Sequence, residues 1–234
     1  MISIKAFFAS IPKLLTILPP TLLLFLAIVA MGILLGLALA AVRIKGHRIA
    51  NILASMFVSF ERSTPLLIQI LIVYFGLRTI LISGMGIADA VHWNAMYFAF
   101  IAYGLNLGAF LSETFRSAFL SIDRGQIEAA QSIGMTGFQV LRRVILPQGA
   151  RIALPSMANM LLDGFKSISL AFSIGVVELM GRGMGIANAA RGVGSIGIYG
   201  AVALLFWATC FVMDKILVGI ERRLSKDIRV MGTK

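Results

Sequence analysis

Eight polar side chains stand inside or beside strongly apolar runs of this 234-residue chain: Arg62, Thr64, Gln69, Asn106, Glu113, Lys166, Ser169 and Glu178. A polar or charged group within a bilayer is expensive, so each one either neutralises a neighbour or contacts something that needs it. Glu113 with Arg116, and Asp163 with Lys166, have the i,i+3 spacing of helical ion pairs that cancel each other's charge. Arg62 and Glu113 therefore carry two readings, structural neutralisation or contact with a ligand. Asn106 has no charge to cancel in its apolar run, which favours hydrogen bonding to a ligand. Catalysis finds no support in the residue types. His47 and His92 have no second ligand at metal spacing, and Cys210, the single cysteine, permits neither an intrachain disulfide nor a cysteine metal site. The sequence contains no H-E-x-x-H, G-x-S-x-G or G-x-x-x-x-G-K-[ST], so hydrolase chemistry and nucleotide binding by that loop are both unsupported.

The elements that must position these groups are membrane helices. Hydrophobic residues make up 59% of the chain, and the mean hydropathy is +0.94, whereas soluble domains hold roughly 45–50% apolar residues. Leu22 to Val42 is free of charge and matches the ~20 residues that a helix needs to cross ~30 Å of hydrocarbon. The pattern predicts an all-α integral membrane protein of about five transmembrane helices. They fall at Thr21–Val42, at Asn51–Ile82 with an interruption at "FERSTP", at Trp93–Ser112, within Ala150–Met180, and at Ile196–Gly219. Residues 1–20 read as an interfacial amphipathic segment with no cleavage site, 21–219 as the transmembrane domain, and 220–234 as a basic cytoplasmic tail.

The formal net charge of +11 invites a nucleic-acid reading, but the placement of the basic residues argues otherwise. They cluster in alternate loops, at Arg43–Arg48, Arg116–Arg151 and Arg222–Lys234, the distribution of a positive-inside protein. An odd number of spans then puts the N-terminus outside and the C-terminus in the cytoplasm. Gly32/Gly36 and Gly104/Gly108 read as close-packing positions within the bundle. "GVGSIG" at Gly192–Gly197 matches a dinucleotide fingerprint but follows no strand, so it is a false match.

One polar loop, "IDRGQIEAAQSIGMTGFQVLRRVILPQ" (residues 122–148), is too well punctuated for a plain connector. Asp123 is placed to cap a helix through "QIEAAQSI", and Gly134 to end it in the left-handed conformation. Thr136 and Gln139 form a second capping pair, and Phe138, Leu141 and Ile145 follow at helical spacing beside Arg142 and Arg143. Pro147 marks the start of the next element. The expectation is a helix–turn–helix at the basic membrane face that docks a partner.

"EAAQSIGMTGFQVLRRVILP" resembles the EAA signature of permease subunits of bacterial ABC importers, matched by Glu128, Ala129, Ala130, Gly134, Leu146 and Pro147, with Val144 where Ile is usual. "FERSTPLLIQ" and "GLNLGAFLSETFR" are similar to segments of the polar amino acid subfamily, and "SIDRGQIEAAQSIGMT" is closest to permeases for cystine. Departures are Ser63 for Gly, Phe110 for Tyr, and "KSISL" (Lys166–Leu170) where K-D-T-S-L is common. The last implies a different amino acid or a non-binding half of a heterodimer.

The resemblance implies a type I importer permease fold, located in the bacterial plasma membrane, that is not itself an enzyme. Its implied partners are a second permease subunit, a cytoplasmic ABC ATPase dimer, an extracytoplasmic substrate-binding protein, an amino acid substrate and membrane lipid. The chain itself would bind no cofactor, ATP and Mg belonging to the ATPase. Glu128, Ala129, Ala130, Gly134, Arg142 and Arg143 would couple to that ATPase. Arg62, Thr64, Gln69, Asn106, Glu113, Lys166 and Ser169 would line the substrate pathway, with Arg62 or the broken-helix end near Thr64 meeting a carboxylate. Two other classes compete: a carrier or channel working alone, and a scaffold that docks a cytoplasmic protein and moves nothing. The absence of internal repeats argues against the first, and the buried polar residues argue against the second.

Overall fold

The structure, a computed structural model, describes residues 2–231, with side chains described for 3–223. Among the described residues every regular element is helical. A short helix α1 (Ile2–Leu15) leads into α2 (Leu18–Lys45), whose first turn carries Pro19 and Pro20, where a missing N–H does no harm. Next come α3 (Arg48–Ser63) and α4 (Leu66–Gly84), the latter containing two π-type turns. A 3-10 turn at Ala88–His92 leads to α5 (Ala95–Leu120), capped by Asn94, whose side chain accepts the Met96 N–H at 2.9 Å. Beyond it lie α6 (Arg124–Ser132), the long α7 (Gly137–Ile174), α8 (Leu179–Ala189) and α9 (Ser195–Met231).

Helices α2, α4, α5 and α9 are each long and apolar enough to cross a membrane. Helices α7 and α8 together supply a fifth crossing, bent by 47°. The expected span Asn51–Ile82 is therefore corrected: it is two helices, and only Leu66–Gly84 has the length and apolarity of a crossing. Helix α3 is amphipathic, with Ala54, Val58 and Glu61 buried while Ile49, Leu53 and Met56 are exposed. The fourth span is also more complex than expected. Its helix starts at Gly137, ends at Gly175 (φ +84°), and is followed by the separate helix α8, which reaches beyond the expected Met180 limit.

The bundle is organised around the crossing of α2 and α5. A Cβ on Gly108 would stand 2.8 Å from Leu35, one on Gly36 2.9 Å from Leu111, and one on Gly32 2.9 Å from Leu107. A Cβ on Gly104 would overlap Met31. All four glycines thus serve the intramolecular packing expected of them, letting two backbones approach so that dispersion contacts replace lipid. Phe25, Ile28, Ile70, Phe98, Phe165 and Ile168 fill the core between α2, α4, α5 and α7. Helix α1 packs Leu14 with Ala201 and Val202 near the start of α9, where Gly197 faces the Ser3 carbonyl, buries Ser10, and leaves Phe8 and Leu15 exposed. The helix of α9 continues through residues 220–231. Side chains beyond 223, including Lys226, Arg229 and Lys234 of the basic tail, lie outside the described residues.

Candidate functional site

The break between α3 and α4 follows from Pro65. Its ring nitrogen carries no hydrogen, so the Glu61 carbonyl, its partner in an α-helix, loses a donor. Gln69 supplies one: its Nε2 donates to Glu61 O at 2.8 Å and to Thr64 Oγ1 at 2.7 Å. Asn106 Nδ2, reaching across from α5, donates to Gln69 Oε1 at 2.8 Å and to Glu61 O at 3.3 Å. Gln69 is 3% exposed, so these bonds form with little competition from water. Asn106, Gln69 and Thr64 therefore form one connected cluster that holds the broken helix. The Asn106 amide N–H groups face protein acceptors.

Glu113 is the second centre. Its Oε2 lies 2.7 Å from Arg43 Nη1 and 4.0 Å from Arg62 Nη1, and its Oε1 lies 2.6 Å from Arg116 Nη2. The i,i+3 pair with Arg116 matches the spacing in the sequence. Arg43 does not, because it stands 70 residues away, in a basic cluster whose placement in sequence marks only topology. It also donates to Ser112 Oγ and Ser55 Oγ, both at 3.3 Å, joining α2, α3 and α5 at the basic end. Beside it opens a polar cavity of about 390 Å³ lined by Arg43, Ser55, Ser59, Arg62 and Ser63, with Phe110 under the Arg62 guanidinium at 5.7 Å. Three arginines around one carboxylate leave an excess of positive charge. A planar guanidinium on the wall of such a cavity suits a carboxylate or phosphate.

Lys166 and Ser169 do not join this cluster. Lys166 pairs with Asp163 at 2.7 Å, and Ser169 donates to the Lys166 carbonyl at 2.8 Å. Asp163 and Lys166 are 73% and 58% exposed in the chain, although apolar turns flank them on both sides within the fourth crossing. Glu178 proves to be a cap. Buried at the bend, it accepts the Met180 and Gly181 N–H groups, each at 2.7 Å, and so satisfies the start of α8. Glu61, part of the "FERSTP" interruption but not among the candidate site residues, is 6% exposed with Oε2 lacking any hydrogen-bond partner among the described residues.

The polar loop folds as its punctuation predicts. Asp123 caps α6 through the Gly125 N–H at 2.8 Å, and Gly134 takes φ +82°. Thr136 and Gln139 complete a reciprocal capping box. Its second arm, however, is no separate helix. It runs straight into the fourth crossing, and Pro147 lies inside that continuous helix. A π-type turn at Leu141–Ile145 adjusts the ladder ahead of the proline, with the Leu146 N–H bonded to Leu141 O. Glu128 and Ala129 are exposed, Ala130 is buried against the loop, and Arg142 and Arg143 face outward. Ile133 and Phe138, at 75% and 69% exposure, flank the Gly134 turn. Their exposure was the part of this loop that spacing could not show.

A multi-helix bundle with a polar seam and a structured loop between crossings is the architecture of a multi-pass membrane protein. Residues 32–226 match the family model described as binding-protein-dependent transport system inner membrane component, and the chain belongs to that family. It is 36% identical to the L-cystine transport system permease protein TcyL of Bacillus subtilis (strain 168), over 93% of this chain and 89% of that one. It is also 36% identical to the probable amino-acid ABC transporter permease protein PatM of Vibrio harveyi, over 83% and 84%. Among solved structures, an amino acid ABC transporter crystallised with histidines matches with a TM-score of 0.80 at 27% identity, covering 94% of this chain and 98% of that one. The chain is thus a multi-pass inner-membrane permease subunit of an ABC amino acid importer. ATP hydrolysis belongs to a partner subunit, as in its family.

Proposed function

We propose that this chain forms half of the translocation pathway for a polar amino acid, L-cystine being the first candidate, and that the loop 122–148 transmits the ATPase cycle to it. The observation that carries the pathway reading is the Asp163–Lys166 pair. Two exposed charges flanked by apolar turns are untenable against lipid, but are accommodated where the face lines an aqueous passage or meets a second permease subunit. Arg62, on the wall of the polar cavity, is placed to meet a carboxylate, with Glu113, Thr64, Gln69, Asn106 and Ser169 contributing to the pathway. Cystine is favoured by two relatives that are named as L-cystine permeases, TcyL and TcyB of Bacillus subtilis (strain 168), each 36% identical.

Glu128, Ala129, Ala130 and Gly134, with Arg142 and Arg143, form the face offered to a cytoplasmic ATPase dimer, which brings its own ATP and Mg. A binding protein delivers substrate on the opposite side. The N-terminus lies outside and the C-terminus inside, in accord with the basic loops. ATP then biases two states of the bundle that open to opposite sides. The test is uptake of labelled L-cystine into proteoliposomes carrying the whole complex. Uptake that needs both ATP and the binding protein supports the reading. Uptake by the permease alone, driven by an ion gradient, would overturn it in favour of a carrier.

A further inference from the structure

Away from the polar seam, α2, α5 and the first half of α7 enclose a cavity of about 520 Å³ that is almost wholly apolar. Its depth comes from small residues, Ala40, Ala118, Gly149 and Ala153, set between the larger Ile33, Phe119 and Met157. We propose that this groove holds an acyl chain of an anionic phospholipid, whose headgroup phosphate meets Lys45.

Three observations favour that occupant. The groove follows α2 from Ile33 to Lys45, a rise of about 18 Å at 1.5 Å per residue. That is close to the depth of one leaflet, half of the ~30 Å hydrocarbon layer. Its one cationic lining residue, Lys45, stands at the end of α2, where the basic residues of the chain gather and where a headgroup would lie. Finally, no acid lines the groove, and Lys45 makes no ion pair among the described residues, so its ammonium is available to an external anion.

Leu141, Ile145 and Leu146 form part of the same wall. They belong to the arm that joins the polar loop to the fourth crossing, so the lipid touches the joint through which movement of the loop must pass.

The test is native mass spectrometry of the complete transporter, purified from phosphatidylglycerol-containing membranes, with bound phospholipids counted per permease chain. The native chain should retain one phosphatidylglycerol in preference to phosphatidylethanolamine. Lys45→Gln should abolish that preference, weakening phosphatidylglycerol retention about fivefold, the effect of one cation near a headgroup. Ala150→Trp, which fills the groove from an exposed position, should expel lipid of either kind. Unchanged retention in both variants would overturn the proposal. So would an interchain disulfide forming in membranes from Ala150→Cys in a Cys210→Ser background, because the groove would then be occupied by a second copy of this chain.

Discussion

Arg43 Nη1 lies 2.7 Å from Glu113 Oε2, and this contact joins the end of α2 to α5. Arg43 is only 13% exposed, and the same guanidinium bonds to Ser112 and Ser55. Arg116 meets the same carboxylate at 2.6 Å but from one turn along its own helix, with 31% exposure. The two pairs should therefore differ in worth. A double-mutant cycle between Arg43 and Glu113, read by thermal unfolding in nanodiscs, should give a coupling of about 1.5–3 kcal/mol, as for charged hydrogen bonds shielded from water. The Arg116–Glu113 cycle should give about 0.3–0.5 kcal/mol. Equal couplings would mean that Arg43 does not lock the helices.

Asn106→Leu removes the donor that reaches Gln69 and the Glu61 carbonyl across the helix break. Leaving a buried acceptor unmatched costs about 1–3 kcal/mol, so the melting temperature should fall. Substrate-stimulated ATPase measured well below the new melting point separates two roles. A loss of stimulation beyond the loss of folded protein marks Asn106 as part of the pathway. Normal stimulation per folded complex confines it to holding the break.

Glu61→Gln should raise stability at neutral pH. The native carboxylate is buried with one oxygen unpartnered, an arrangement that penalises the charged form. Removing the charge while keeping the size should gain about 1 kcal/mol or more in denaturant titrations. A destabilised variant would show that the carboxylate has a partner in the assembled transporter.

Gly108→Val places a branched side chain where a Cβ alone would stand 2.8 Å from Leu35. Forced separation of α2 and α5 should lower stability by about 1–3 kcal/mol. The same change at Gly76, where a Cβ meets nothing within 4 Å, should be milder. Similar effects at both sites would contradict the tight crossing.

Much of this architecture was legible in the chain. The apolar runs gave the crossings, and Pro65 located the break. Asp123, Gly134 and the Thr136–Gln139 box gave the loop, because these features depend on neighbours in sequence. What stayed hidden depends on distant partners or on burial. Arg43 reaches Glu113 only when α2 packs on α5, and Asn106 reaches Gln69 and the Glu61 carbonyl only when α5 packs against the helix break. Pro147 looked like a boundary, since the residues before a proline usually leave the α region; a π-type turn accommodates it instead. The bend at Gly175 is not legible in the sequence, because one glycine in an apolar run does not declare its sign of φ.

The most direct test of the central claim is ATPase activity of the reconstituted complex, with and without loaded binding protein, comparing the native chain with Glu128→Arg. Glu128 is exposed on the loop and makes no ion pair among the described residues, so reversing its charge leaves the bundle intact. The account predicts an assembled, folded complex whose stimulation by the binding protein is lost. Full stimulation in that variant, and in Gly134→Trp beside it, would contradict the assignment of this loop as the coupling element.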